Sequence, residues 1–179
     1  MIRWLIGLVV VGALAVGLWA FEPWRLFTSS TVHEDVPVST TATEPAAPET
    51  EASSEAEAPT TKPTPRDREL ARGRFEDAEH GTSGMARILL LADGRRFLRL
   101  EGLATSDGPD LHVWVTDQPS GGDWGSYDDG RYVRLGELKA THGDQNYEIP
   151  AGADLDGLRS VVVWCDRFDV AFGTAPVAL

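Results

Sequence analysis

The sequence predicts an all-β domain, an antiparallel β-sandwich over residues 67–179, preceded by one N-terminal transmembrane helix and a disordered linker. Three observations predict the sandwich. Turn signals recur at intervals of roughly ten residues: Gly81, Gly84, Asp93-Gly94, Asp107-Gly108-Pro109, Gly121-Gly122, Asp129-Gly130, His142-Gly143-Asp144 and Ala151-Gly152. Short runs rich in Val, Ile, Leu, Phe and Trp lie between them. Helical periodicity is poor throughout this part of the chain.

Residues 1–27 read as a membrane or signal-anchor segment. Trp4 to Phe21 carries no charge and is mostly Leu, Val, Ala, Gly and Trp. At about 1.5 Å per residue, residues 2–21 would extend for roughly 30 Å, the thickness of a hydrocarbon core. Trp4, Trp19 and Trp24 stand near its ends, where indole rings favour the interface. A cleaved signal peptide is the competing reading. Leu18 and Trp19 stand where small residues would precede a cut, and the apolar run is long for such a peptide. The only cysteine lies far downstream, which excludes a lipoprotein. Arg3 and the amino terminus favour a cytoplasmic N-terminus, which places the C-terminal domain outside the cell membrane.

Residues 28–66 read as a disordered linker rich in Pro, Thr, Glu and Ala. The stretch "TTATEPAAPETEASSEAEAPTTKPTP" has no aromatic residue and few branched aliphatics, too little apolar area to offset its ordering entropy. Proline and like-charged Glu extend it, as suits a tether holding a domain off a surface.

Within residues 67–179 several strands can be placed. Met85–Ala92 and Arg95–Glu101 flank Asp93-Gly94, a pair that tolerates the positive φ of a tight hairpin. Leu98 and Leu100 share the face that reads as buried. Asp110–Thr116 alternates, with Leu111, Val113 and Val115 inward and Asp110, His112, Trp114 and Thr116 on a polar outer face. Gln145–Ile149 is short and ends at Pro150, which suits an edge or a strand end. Ser160–Cys165 contains Val161, Val162 and Val163 together, so both its faces are covered and it is central. Asp169–Phe172 closes the sheet and Gly173 is expected to stop it. A short helical turn is expected around Asp154–Leu158.

The chain carries a formal net charge of −12. An acidic domain lacks the clustered Lys and Arg that bind nucleic acid, and anionic lipid heads repel it. Contact with the lipid bilayer therefore falls to residues 2–21.

Few motifs carry chemistry. No G-x-G-x-x-G, Walker loop or G-x-S-x-G elbow is present. The histidines are His33, His80, His112 and His142, and no two have metal-ligand spacing. Asp110 and His112 share a strand face, a weak candidate for two metal ligands or an acid–base couple. Asp117, Asp123, Asp128 and Asp129 lack the ordered spacing of a calcium loop. Cys165 is the only cysteine and can have no intramolecular disulfide partner. One reading makes it a small core residue. The other makes it a redox thiol at the rim of the strand, with Arg167 on the same face favouring thiolate and Asp166 beside it.

Three stretches, "GPDLHVWV" at 108–115, "LGELKATHGDQNYEIP" at 135–150 and "RSVVVWCDRFDVAFGTAPV" at 159–177, resemble the DM13 domain. The likeness covers about residues 70–178, with anchor and linker outside it, as in membrane-attached bacterial members. It implies a β-sandwich and a redox-active cysteine, here Cys165, that takes part in electron transfer. The chain has one such domain and no haem-binding helices, so the resemblance implies a partner for some separate redox molecule rather than an autonomous enzyme. Its cofactors are unknown.

Three functional readings follow. The first is a membrane-tethered extracytoplasmic redox module that uses Cys165, tuned by Asp166 and Arg167. The second is a binding or adhesion module of the cell envelope that uses exposed loop aromatics Trp124, Tyr127 and Tyr132. The third is a metal- or haem-binding sandwich using His112.

Overall fold

The computed structural model describes residues 2–21, 28–39 and 66–179. Two five-stranded sheets face each other. The first has the order β1-β8-β5-β4-β2, built from Thr31–His33 (β1), Arg68–Arg74 (β2), Ser83–Leu90 (β4), Arg96–Ala104 (β5) and His142–Ile149 (β8). The second has the order β3-β10-β9-β6-β7, built from Glu76–Asp77 (β3), Leu111–Thr116 (β6), Tyr132–Glu137 (β7), Ser160–Cys165 (β9) and Val170–Pro176 (β10). Every strand pair is antiparallel except β1 with β8.

The alternation of the sequence accounts for the core between the sheets. Ala86, Ile88, Leu98 and Leu100 from the first sheet meet Val113, Val115, Val161, Val163 and Phe172 from the second. The Asp93-Gly94 hairpin forms as expected, with Gly94 at φ 89° and Leu98 opposite Ile88. β9 is central, lying between β10 and β6, and all six of its residues are buried.

Several expectations need correction. The outer face of β6 is not a polar surface: Trp114 is 1 % exposed and Thr116 fully buried, because the segment after β6 folds back over them with Tyr127. The Thr116 hydroxyl donates to the Tyr127 carbonyl at 3.0 Å. Gly173 does not stop β10 but lies inside it, next to a bulge after Ala171. A Cβ there would come within 2.3 Å of the Thr82 side chain, so packing rather than termination calls for glycine. The stretch 154–158 is turn, not helix.

The linker expected over 28–66 is not disordered at its start. Residues 28–39 lie along β8, and β1 supplies the partner that an edge strand lacks. Glu34 accounts for much of this attachment, accepting from Lys139 Nζ at 2.7 Å and from the Asn146 amide at 2.6 Å. Residues 40–65 lie outside the described residues.

Residues Ile2–Phe21 form one helix, α1. The side chains at 2, 5, 13 and 18–21 are outside the described ones. Among the described residues no helix is long and apolar enough to cross a membrane, so the expected transmembrane helix finds no support there.

Candidate functional site

Cys165 is the last residue of β9, paired with Leu111 of β6 on one side and Val170 of β10 on the other. Its face is that of Val161 and Val163, so the thiol points into the core between the sheets and is fully buried. It is a free cysteine. Because β9 ends here, the strand alternation that would carry Arg167 onto the same face also ends. Residues 166–169 form a tight turn, closed by the Phe168 amide donating to the Cys165 carbonyl at 3.3 Å. Asp169 takes φ 52°, a conformation that Asp tolerates better than most residues.

Of the two positions the sequence leaves open for Cys165, the structure shows the core rather than the rim. The Arg167 side chain is exposed, while the backbone amides of Phe168, Arg167 and Asp110 lie near enough to the thiol to lower its pKa. Burial pushes the thiol pKa up, the three amides pull it back, and the Asp110 charge adds to the rise; the net direction is upward. The group is thus a protonated thiol at neutral pH, set among donors that would favour negative charge on sulfur.

Asp166 turns to the other face of the sheet. Both its oxygens accept from Arg134 of β7, at 2.8 Å each, in a fork geometry. One of them also lies 3.4 Å from His112 Nε2, and Asp110 Oδ1 is 3.0 Å from the same nitrogen. The Asp110–His112 pair of the sequence therefore gains a third member. Ligand atoms of Asp110, His112 and Asp166 all lie within 4.8 Å of one another. A cation about 2.1 Å from each of two ligands sets them roughly 3.0 Å apart at a right angle and roughly 3.4 Å apart at a tetrahedral one. The observed separations fit a small cation, and they also fit a shared proton.

Arg134 further lies over the ring of Trp114, 4.6 Å from its centroid. Trp114 stacks on Tyr132 at 4.5 Å and on Trp164 at 4.9 Å. Trp114 Nε1 is buried and has no hydrogen-bond partner among the described residues. Register explains the grouping. His112 sits between Trp164 and Glu137, and Trp114 sits between Val162 and Arg134, so β6, β7 and β9 share one face. Nothing in the local sequence marks Arg134, because it comes from a strand 32 residues before Asp166.

Beside this group a polar cleft of about 610 Å³ opens at the end of the sandwich, lined among others by Thr28, Ser30, Asp110, Glu137 and Lys139. The three aromatics expected at loop tips separate: Trp124 is 51 % exposed and Tyr132 37 %, but Tyr127 is buried and its hydroxyl accepts from the Gly122 amide at 3.0 Å.

A family model described as "Electron transfer DM13" matches residues 74–177. No curated protein and no solved structure matches the chain.

Proposed function

Since the chain belongs to the DM13 family of electron-transfer domains, we propose that it is a redox module in which Cys165 is the group oxidised and reduced. The observation that carries this reading is the free thiol itself, buried at the end of the central strand between Leu111 and Val170. Burial selects among redox chemistries. Thiol–disulfide exchange needs the Cys165 thiolate in contact with a disulfide of the partner molecule, and full burial denies that contact while the 166–169 turn is closed. One-electron oxidation needs no such contact: the electron passes to a separate one-electron acceptor, the S–H bond breaks with its proton going to solvent, and a thiyl radical remains until an electron and a proton return. Asp166 and Arg167 act on the site indirectly, Asp166 by fixing the turn to Arg134 and Arg167 through its amide. The module has no resolving cysteine and depends on a second molecule.

In the same reading the domain is membrane-anchored and extracytoplasmic. Large apolar side chains along α1, including Trp4, Ile6, Leu8, Val9, Val11 and Leu14, are exposed and meet no other part of the chain's core. Lipid would cover that surface. Voltammetry of the purified protein tests the redox reading: a reversible wave that disappears in Cys165→Ser supports it, and identical traces for the two proteins sink it.

A second reading is favoured by the convergence of Asp110, His112 and Asp166. One imidazole and two carboxylates form a donor set for Zn²⁺ or Mn²⁺. Calorimetric titration with each ion, with Asp110→Asn as the control, decides it. Absence of heat for both ions at millimolar concentration rejects a metal role.

A further inference from the structure

The segment expected to be a tether is attached to the domain at both of its ends. Residues 28–39 run the length of the first sheet. At the start, Ser30 accepts from the His142 amide at 2.9 Å through its carbonyl, and its amide donates to Thr141 Oγ1 at 3.0 Å. In the middle, Val32 pairs with Gly143, Arg99 donates to the Glu34 carbonyl at 3.0 Å, and Asn146 donates to the Asp35 carbonyl at 2.8 Å. At the far end, Arg95 donates to the Val38 carbonyl at 3.3 Å. There the Ser39 hydroxyl hydrogen-bonds the Asp67 carboxylate. The Ala92 amide donates to both, at 2.9 Å to Ser39 and 2.7 Å to Asp67. Asp67 then leads directly into β2.

Residues 39 and 67 are therefore neighbours. The acidic, Pro- and Thr-rich stretch between them leaves and re-enters the domain at one place, beside the Asp93-Gly94 turn. The only chain between α1 and the domain is residues 22–27. Seven Cα steps from Phe21 to Thr28 reach at most about 25 Å. Thr28 and Ser30 line the same cleft as Asp110, and the Thr28 hydroxyl donates to Asp107. The end of the sandwich nearest α1 is thus the end that holds Cys165, His112 and Asp166.

We infer that the domain is strapped rather than tethered: residues 28–39 fix the Cys165 end as the end facing the membrane, with Thr28 within about 25 Å of the end of α1. This rests on the reading of α1 as a membrane anchor. The partner that fits such a placement is embedded in the same membrane. Gly143 is the device that admits the strap, since a Cβ there would stand 1.9 Å from the Val32 carbonyl oxygen.

A protease site placed within residues 48–56 of the full chain, reconstituted into phosphatidylcholine vesicles, tests the strap. After cleavage the C-terminal piece should stay on the vesicles, held by the contacts of residues 28–39 alone. Gly143→Val, or the milder pair Glu34→Ala with Ser39→Ala, should release it at least tenfold faster. Release of the cleaved wild-type piece as fast as in these variants overturns the strap. Should the uncut chain fail to sediment with vesicles, the anchor reading fails, and the orientation inferred here with it. Co-elution of the two cleaved pieces on a sizing column still tests the strap separately. Orientation is read in a Cys165→Ser background with a dye at residue 109 or at residue 94 and a lipid-borne quencher. Stronger quenching at 109 is expected, and equal or reversed quenching overturns the orientation.

Discussion

Asp110 serves His112 and Cys165 at once: its carboxylate meets His112 Nε2 at 3.0 Å on the outer side of the sheet, while its amide lowers and its charge raises the pKa of the buried thiol. One residue at the mouth of β6 thus joins the core thiol to the surface ionic group. A change in charge on that group is felt at sulfur, because Asp110 also raises the thiol pKa through its own charge.

Access to sulfur should be limited by opening of the 166–169 turn. Local opening of such a turn costs about 3 kcal/mol, which corresponds to roughly a hundredfold. Iodoacetamide should therefore alkylate Cys165 about a hundred times more slowly in the native protein than in denaturant. Equal rates, followed by mass spectrometry, would contradict the burial described above.

The raised thiol pKa has a pH signature with a fixed sign. The folded state holds the thiol proton more tightly than the unfolded chain does. Its contribution to stability is fully present below the ordinary thiol value of about 8.5 and is lost as pH rises towards the folded value. Stability should fall with alkaline pH from about 8.5 upward, and Cys165→Val should flatten that slope. Tyr147, pushed up to about 12 by burial, titrates higher and adds its own loss above about 10. Urea midpoints measured between pH 7.5 and 9.5 separate the two groups.

Arg134 is the residue on which the outer group depends. Arg134→Met removes the fork to Asp166 and the cation over Trp114. The side chain is nearly half exposed, so the expected loss is about 1 kcal/mol. Arg134→Lys should recover little of it, because an ammonium cannot reproduce the two parallel bonds. Full recovery by Lys in thermal melts would show that charge alone matters.

Gly173 should tolerate no side chain. The Cβ of Gly173→Ala would press on Thr82, whose buried hydroxyl is hydrogen-bonded to Thr105 at 2.9 Å and to the Phe172 carbonyl at 3.0 Å. A loss of about 1–3 kcal/mol is expected by chemical denaturation. A loss below a few tenths of a kcal/mol would mean that Thr82 moves aside freely.

Much of the fold was legible in the chain, and for local reasons. Asp93-Gly94 fixes a hairpin through backbone conformation alone, and the alternation of Leu98 and Leu100 chooses its buried face. Three consecutive valines in β9 require cover on both sides, which only a central strand receives. β1, β2 and β3 are not marked in the sequence because they are short or carry Arg and Glu in place of an apolar face. β7 is not marked because Val133 and Leu135 are its only core-facing residues, set among Tyr, Arg, Gly and Glu. They form because a neighbouring strand offers unpaired backbone groups, and their own residues do not announce it.

By itself the sequence determined the sandwich, its central strand, the family and the single thiol, because each depends on patterns a few residues long. Tertiary structure alone decided which groups surround that thiol. Strand alternation placed Arg167 beside Cys165, but the strand stops at Cys165, so amides surround the sulfur and the charges gather on the opposite face. It also decided that residues 28–39 are a strand and a strap. A segment with little apolar surface has no reason to order alone. It orders here because β8 presents an open edge and Lys139, Arg99 and Asn146 stand ready for Glu34 and its neighbours.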